Sequence, residues 1–172
     1  ETIGITPVLR GGGAGRATTV SCEARVSVKR ARSASRSAIG QMRIALVVSQ
    51  YNREIAAKLE AHCLRELKRA GVKDQNFSVT HVPGAFEIPW ACQQVIHRTK
   101  PHAVIALGCI VRGETPHFDF IASAVARGIM EVGLSFGVPI AFGVLTVNTM
   151  AQARARVAKG TEAAQTIVKL LN

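Results

Sequence analysis

Arg43 to Gly71 reads RIALVVSQYNREIAAKLEAHCLRELKRAG, and its hydrophobic period changes once along the way. Arg43 to Ser49 is a continuous apolar run, the pattern of a strand buried on both faces. From Arg53 to Ala70, Ile55, Leu59, Cys63 and Leu67 recur along one stripe at helical spacing. Gly71 then supplies the residue type that closes a helix in the left-handed conformation. A strand, a short turn and a helix follow in that order.

The same alternation continues downstream. Phe77 to Val82 reads as a second strand and Phe86 to Arg98 as a second helix, with Pro89 suited to the first turn because its missing N–H would be unpaired there. His102 to Val111 (HAVIALGCIV) is the most apolar strand. A helix from about Phe118 to Phe136 follows it and is closed by Gly137 and Pro139. Pro139 to Thr146 (PIAFGVLT) is the fourth strand, and Asn148 to Leu171 carries the last helix, with a break expected near Gly160. Four strand-to-helix units predict a parallel sheet covered by helices on both faces, because right-handed crossovers are the common way to join parallel neighbours. The expected fold class is α/β: a flavodoxin-like three-layer sandwich on a four-stranded parallel sheet. Such sheets bind ligands beyond the carboxyl ends of their strands, where strand order reverses.

Composition bounds the function classes. At 172 residues and 48% apolar content the chain is long enough for one domain with a real core. No apolar run approaches the ~18 residues that span a bilayer, so no membrane partner is expected. The net charge of +11 is unevenly spread, and residues 1–41 are disproportionately basic, with seven Arg and Lys against two Glu. From Met42 onward there is no aromatic-interleaved basic stripe, which argues against nucleic acid. Residues 1–41, with RGGGAGR at 10–16 and KRARSASRS at 29–37, have the composition of a disordered extension. Being Arg- and Ser-rich and acid-poor, the extension is either transit-like or artificially added, and the expected domain runs from 42 to 172. The expected location is cytoplasmic, or plastid if residues 1–41 are a transit segment. Cys22, Cys63, Cys92 and Cys109 form no C-x-x-C pair and have no His at metal-ligand spacing, so they read as reduced, mostly buried thiols and no metal is expected. Cys109 lies beside a candidate site, but a thiol within an apolar strand is ordinarily inert.

The loops after the four strands carry the polar chemistry. Tyr51, the only tyrosine, offers a ring face to a planar heterocycle, although a turn aromatic serves equally as structure. Glu87 gains from the positive end of a helix dipole whatever its function, and Gly84 and Ala85 permit close approach of a ligand to the backbone. Gly113, Glu114 and Thr115 precede a helix, so their free N–H groups and the Thr115 hydroxyl suit a phosphate. His117 stands at the same helix start, and histidine is the side chain suited to proton transfer near neutral pH. Arg154 and Arg156 fit either a solvated helix face or a guanidinium clamp on phosphate. Residue chemistry alone reaches a phosphate-using α/β protein with one His.

Three strings extend that reading. Val82 to Pro89 (VPGAFEIP), Ala106 to Phe120 (ALGCIVRGETPHFDF) and Phe142 to Thr146 (FGVLT), in this order and spacing, resemble the signature segments of lumazine synthases, over essentially Met42 to Leu171. The resemblance implies condensation of 5-amino-6-(D-ribitylamino)uracil with 3,4-dihydroxy-2-butanone 4-phosphate, the penultimate step of riboflavin synthesis, without metal or organic cofactor. By the same resemblance Tyr51 takes the place of the aromatic that stacks on the pyrimidinedione. Ala85 and Glu87 match positions that bind the ribityl chain, with Phe86 between them in the substrate-binding set. Ile110 and Val111 hold the pyrimidine edge through their backbone, Gly113, Glu114 and Thr115 form the phosphate loop, and His117 matches the proton-transfer residue. Phe142 and Arg156 match positions supplied by an adjacent subunit of a homopentamer, so the implied site is intersubunit. A 60-subunit shell and association with riboflavin synthase are further assemblies within the family's range.

The chain departs from the family pattern in three places. Gln50-Tyr51-Asn52 stands where Arg-Phe-Asn is usual, which keeps the ring, adds a hydroxyl and loses a charge. Arg156 to Gly160 is several residues shorter than the family's Gly- and Lys-containing loop, which leaves the register of Lys159 open. Residues 1–41 do not resemble the short strand with which many members extend a neighbour's sheet. Two other classes of function stay in view. A flavodoxin-like electron carrier would place its phosphate loop after the first strand, where Ser49 to Arg53 lacks the Ser, Thr and Gly required. A catalytically silent shell-forming or flavin-binding relative would keep the pentamer surfaces but would have lost His117 or the phosphate loop.

Overall fold

The computed structural model describes residues 39–172. Four strands, β1 (Ile44–Ser49), β2 (Phe77–Val82), β3 (Ala103–Val111) and β4 (Ile140–Val147), alternate with α1 (Arg53–Ala70), α2 (Ile88–Thr99), α3 (His117–Phe136), α4 (Met150–Ala155) and α5 (Lys159–Leu171). The sheet is parallel throughout, in the order β2-β1-β3-β4. This is the flavodoxin-like three-layer α/β fold, and the strand order reverses between β1 and β3.

The two faces of β1 show how the layers form. Ile44, Leu46 and Val48 pack with Ala56, Cys63 and Leu67 of α1 and with Ala164 and Ile167 of α5. Ala45 and Val47 point the other way, into a cluster with Ile88, Ala91 and Cys92 of α2 and Val125 and Ile129 of α3. With both faces covered, a strand has no use for alternating polar residues, which is why RIALVVS is apolar throughout. A third cluster joins Ile55 and Leu59 of α1, Cys109 of β3, Leu145 and Val147 of β4 and Ala153 of α4, and it lies at the carboxyl end of the sheet.

Local signals set the element ends. Gly71 closes α1 at φ 102° and Gly137 closes α3 at φ 62°, both donating to carbonyls of the preceding turn. Helix α2 begins at Ile88 rather than Phe86, because Gly84 to Glu87 form a turn in which the Gly84 amide donates to the Glu87 carboxylate at 2.8 Å. The last helical segment, expected to break near Gly160, is two helices. Thr149 Oγ1 caps α4 by accepting from the Gln152 amide at 3.2 Å, and Gln152 Oε1 accepts from the Asn148 amide at 2.9 Å, a capping-box exchange displaced by one residue. The chain turns at Arg156 to Ala158, and Gly160 lies inside α5 instead of breaking it. A Cβ at Gly160 would stand 2.1 Å from the Leu59 carbonyl oxygen, so glycine is what lets α5 lie against α1.

Ile39, on the extension side of the expected boundary, is buried and packs with β1, α1 and α5. The rest of the expected extension, including Cys22, lies outside the described residues. Among the described residues, no helix is long and apolar enough to cross a membrane.

Candidate functional site

A cavity of about 390 Å³ opens at the carboxyl ends of β1, β2 and β3, where the strand order reverses. That volume falls within the range of small-ligand sites. Each wall comes from a different stretch. Tyr51 follows β1, Gly84 to Glu87 follow β2, and Cys109, Ile110 and Val111 end β3. Gly113 and Thr115 come from the next loop, and His117, Phe118 and Ile121 from the first turns of α3.

The β1–β2 ladder continues into the loops and brings the first two walls together. The Gln50 amide donates to the Val82 carbonyl at 2.8 Å and the Tyr51 amide to the Pro83 carbonyl at 3.0 Å. Asn52 adopts the left-handed conformation at φ 56°, ψ 48°, and its Nδ2 donates to the Cys109 carbonyl at 3.0 Å, which ties this loop to β3. Tyr51 is 71% exposed, so its ring face is open to a planar group. Glu87 is the last residue before α2. One carboxylate oxygen is held by the Gly84 amide, and the remaining lone pairs are available to a hydroxylated ligand.

Gly113 to His117 are all exposed. Among the described residues, the amides of Gly113, Glu114 and Thr115 have no protein acceptor. Arg112, immediately before them, is heavily engaged. Its guanidinium makes a two-point bond to Asp119 at 2.5 and 2.9 Å, donates through Nε to Asn148 Oδ1 at 3.2 Å and lies 4.3 Å from the Phe118 ring centre. Hydrogen bonding from Arg112 holds the Asp119 carboxyl below its usual range.

Nine of the twelve expected site residues line this cavity. They are Tyr51, Ala85, Phe86, Glu87, Ile110, Val111, Gly113, Thr115 and His117. Glu114 does not line it and lies between two residues that do. Phe142 and Arg156 lie elsewhere. Phe142, on the edge strand β4, borders a separate apolar hollow of about 550 Å³ with Ile129, Met130, Leu134, Ile140 and Leu170. Arg156 ends α4, with Nη1 donating to the Gln152 carbonyl at 3.1 Å. Arg154 pairs with Glu54 at 3.3 Å and Lys159 with Glu162, so both form ion pairs on the surface. Hydrogen bonds from Lys58, and then from Arg154, bring the Glu54 carboxyl down to about 2.

Phe118 and Ile121 also line the cavity, together with Gly84 and Cys109, which the sequence places beside it. Apolar residues in the first turns of a helix read as core packing, so the sequence gives no sign that Phe118 and Ile121 wall a cavity. Cys109 is 1% exposed, and burial raises its thiol to about 11, so it is not an activated nucleophile. Burial likewise raises Cys63 and Cys92 to about 12.

The fold and this site define an α/β protein with a small-ligand cavity at the topological switch point, furnished with a stacking ring, a carboxylate, unpaired amides and one imidazole. Sequence comparison narrows the class. The profile of the family described as 6,7-dimethyl-8-ribityllumazine synthase matches residues 41–172. Relatives carrying that same description include one from Parabacteroides distasonis, 41% identical over 77% of this chain and 86% of its own length. Another, from Protochlamydia amoebophila, is 42% identical over 78% and 81%, and one from Phocaeicola vulgatus is 40% identical over 76% and 81%. The chain belongs to the 6,7-dimethyl-8-ribityllumazine synthase family.

Proposed function

We propose that this protein forms 6,7-dimethyl-8-ribityllumazine from 5-amino-6-(D-ribitylamino)uracil and 3,4-dihydroxy-2-butanone 4-phosphate, in the cavity at the ends of β1, β2 and β3. The observation that carries the reading is the convergence of nine residues, from four separate stretches, on one cavity in a chain of this family. The pyrimidinedione stacks on Tyr51, with its polar edge on the backbone of Ile110 and Val111. The ribityl hydroxyls bond the Glu87 carboxylate and the backbone near Ala85 and Phe86. Phosphate sits on the amides of Gly113, Glu114 and Thr115.

The 5-amino group attacks the ketone, and loss of water gives an imine. Phosphate is eliminated, and the ribityl-bearing nitrogen closes the second ring with loss of a second water. His117, beside the phosphate loop, transfers protons in these steps. Holding two reactants in one cavity supplies the orientational part of the acceleration.

The site is completed by a second copy of the chain, which brings Phe142 over the ring and Arg156 to the phosphate. Two features support this. Neither residue reaches the cavity of its own chain. Helix α3 also leaves Phe120, Met130 and Leu134 exposed, apolar side chains that a second copy would cover. A ring of five copies is the assembly we propose, and residues 1–41, apart from the stretch at Ile39 that packs on the core, are an extension of the catalytic domain.

The test is turnover by the full-length protein with both substrates, followed by lumazine fluorescence and corrected for the spontaneous condensation. Acceleration is expected, with Arg156→Ala chiefly raising KM for the keto-phosphate. Rates equal to the spontaneous reaction would instead favour the silent relative.

A further inference from the structure

Nothing in the loop from Gly113 to His117 explains how it keeps its shape. All five residues are exposed, and Gly113 is so open that an added Cβ would meet nothing within 4 Å. A loop of this kind samples many conformations unless its ends are fixed, and a phosphate cradle built from amides fails when those amides diverge.

The ends are fixed by Arg112. Its amide donates to the carbonyl of Val147, the last residue of β4, at 2.9 Å. Its guanidinium reaches across the loop to the first turn of α3, bonding both Asp119 oxygens and covering the Phe118 ring. Through Nε it also holds Asn148, in the turn that leads to α4. We propose that Arg112 is a positioning residue: with Asp119 it clamps the two ends of the phosphate loop together, so that the loop amides converge on the anion without the guanidinium touching it. The planar fork is needed, since a lysine ammonium cannot make a two-point bond and a third donation from one rigid group.

This inference rests on the reading of Gly113 to Thr115 as the phosphate site. It competes with a simpler idea, that a partly exposed arginine beside the loop grips phosphate directly. Asp119→Asn separates the two. The substitution keeps the shape of the side chain and removes a negative charge, so long-range attraction for phosphate rises. Direct contact therefore predicts binding that is unchanged or tighter, whereas the clamp predicts weaker binding.

The experiment is calorimetric titration of inorganic phosphate into the full-length protein, for wild type, Arg112→Gln, Asp119→Asn and the double variant. Steady-state KM values for both substrates are measured alongside. We expect each single variant to weaken phosphate binding on the order of tenfold. The double variant should be no worse than either, as for two halves of one device. KM for the keto-phosphate should rise in step while KM for the pyrimidine stays level, a split that general destabilisation does not give. Phosphate bound by Asp119→Asn as well as by wild type overturns the clamp and leaves the phosphate loop standing. Absence of phosphate binding in wild type overturns the loop assignment and the clamp with it. Loss of both KM values together, at an unchanged protomer fold by circular dichroism, also overturns the clamp.

Discussion

Replacing Gly160 with alanine sets helix propensity against packing, and the geometry decides the sign. Alanine in place of glycine favours a helix by up to about 1 kcal/mol, and by less near the start of α5, where residue 160 lies. Against that, the new Cβ would stand 2.1 Å from the Leu59 carbonyl oxygen and 2.9 Å from its carbon. An ordinary carbon-to-oxygen contact is about 3.3 Å, so α5 has to withdraw from α1 by about 1 Å. The obstacle is backbone, which no rotamer change relieves. Leu59, Cys63, Leu67, Ala164 and Ile167 are fully buried around that seam and lose contact together when it opens. Overpacking of this kind costs about 1–3 kcal/mol, and a backbone clash sits toward the upper end. A net loss of roughly 1–2 kcal/mol remains after the propensity gain. The assay is urea unfolding by far-ultraviolet circular dichroism at fixed protomer concentration, since assembly contributes to apparent stability. A lower midpoint is expected, and a midpoint equal to or above that of the wild type would refute the reasoning.

Further outcomes follow from the site and its charges. His117→Ala should lower kcat on the order of 100-fold, with KM values little changed, because it removes a proton carrier and leaves the binding walls intact; steady-state kinetics checks this, and an unaltered kcat removes His117 from the chemistry. Glu54 falls from its ordinary 4.5 to about 2 in the folded protein, and Asp119 and Glu66 are also lowered. Folded values below the unfolded ones mean that these carboxylates stabilise the fold above about pH 4.5 and that the contribution is lost as pH falls through the folded values. Thermal midpoints should therefore hold from pH 7 to 5 and decline below about pH 4, with the Glu54 part, being fully exposed, reduced by salt. Glu54→Gln should flatten the acid decline, and an identical decline in that variant contradicts the assignment. Cys63, Cys92 and Cys109, raised to about 12, 12 and 11 by burial, should resist iodoacetamide at pH 8 in the folded protein and react once it is unfolded. Peptide mass spectrometry reads out each thiol.

The scaffold could be read from sequence because burial on both faces leaves a plain record. RIALVVS and HAVIALGCIV have no reason to be apolar throughout except in a covered parallel sheet, and the stripe from Ile55 to Leu67 fixes α1 together with Gly71. The ends of elements were harder where side chains intervene. The Glu87 bond to Gly84 delays α2, and the Thr149–Gln152 exchange starts a separate short helix, α4. The break near Gly160 is legible, whereas the close approach that Gly160 allows between two helices far apart in sequence leaves no local period.

At the site, residue types placed after strands were readable, and their mutual geometry was not. Arg112 and Asp119 are seven positions apart across an irregular loop, and Asn52 reaches a carbonyl 57 residues away. Such pairings depend on the tertiary path of the chain. Phe142 shows the other limit, because it borders a separate apolar hollow and not the cavity of its own chain.

The most direct test of a shared, catalytic cavity is turnover by mixed assemblies of His117→Ala and Arg156→Ala chains, co-expressed with separable tags. If His117 of one chain works with Arg156 of its neighbour, random mixing restores about a quarter of the sites to full composition, and at keto-phosphate concentrations far below the KM of Arg156→Ala lumazine formation rises well above that of either variant alone. Mixed assemblies no faster than the average of the two variants would contradict the shared site. Wild-type protein no faster than the spontaneous condensation would contradict the function itself.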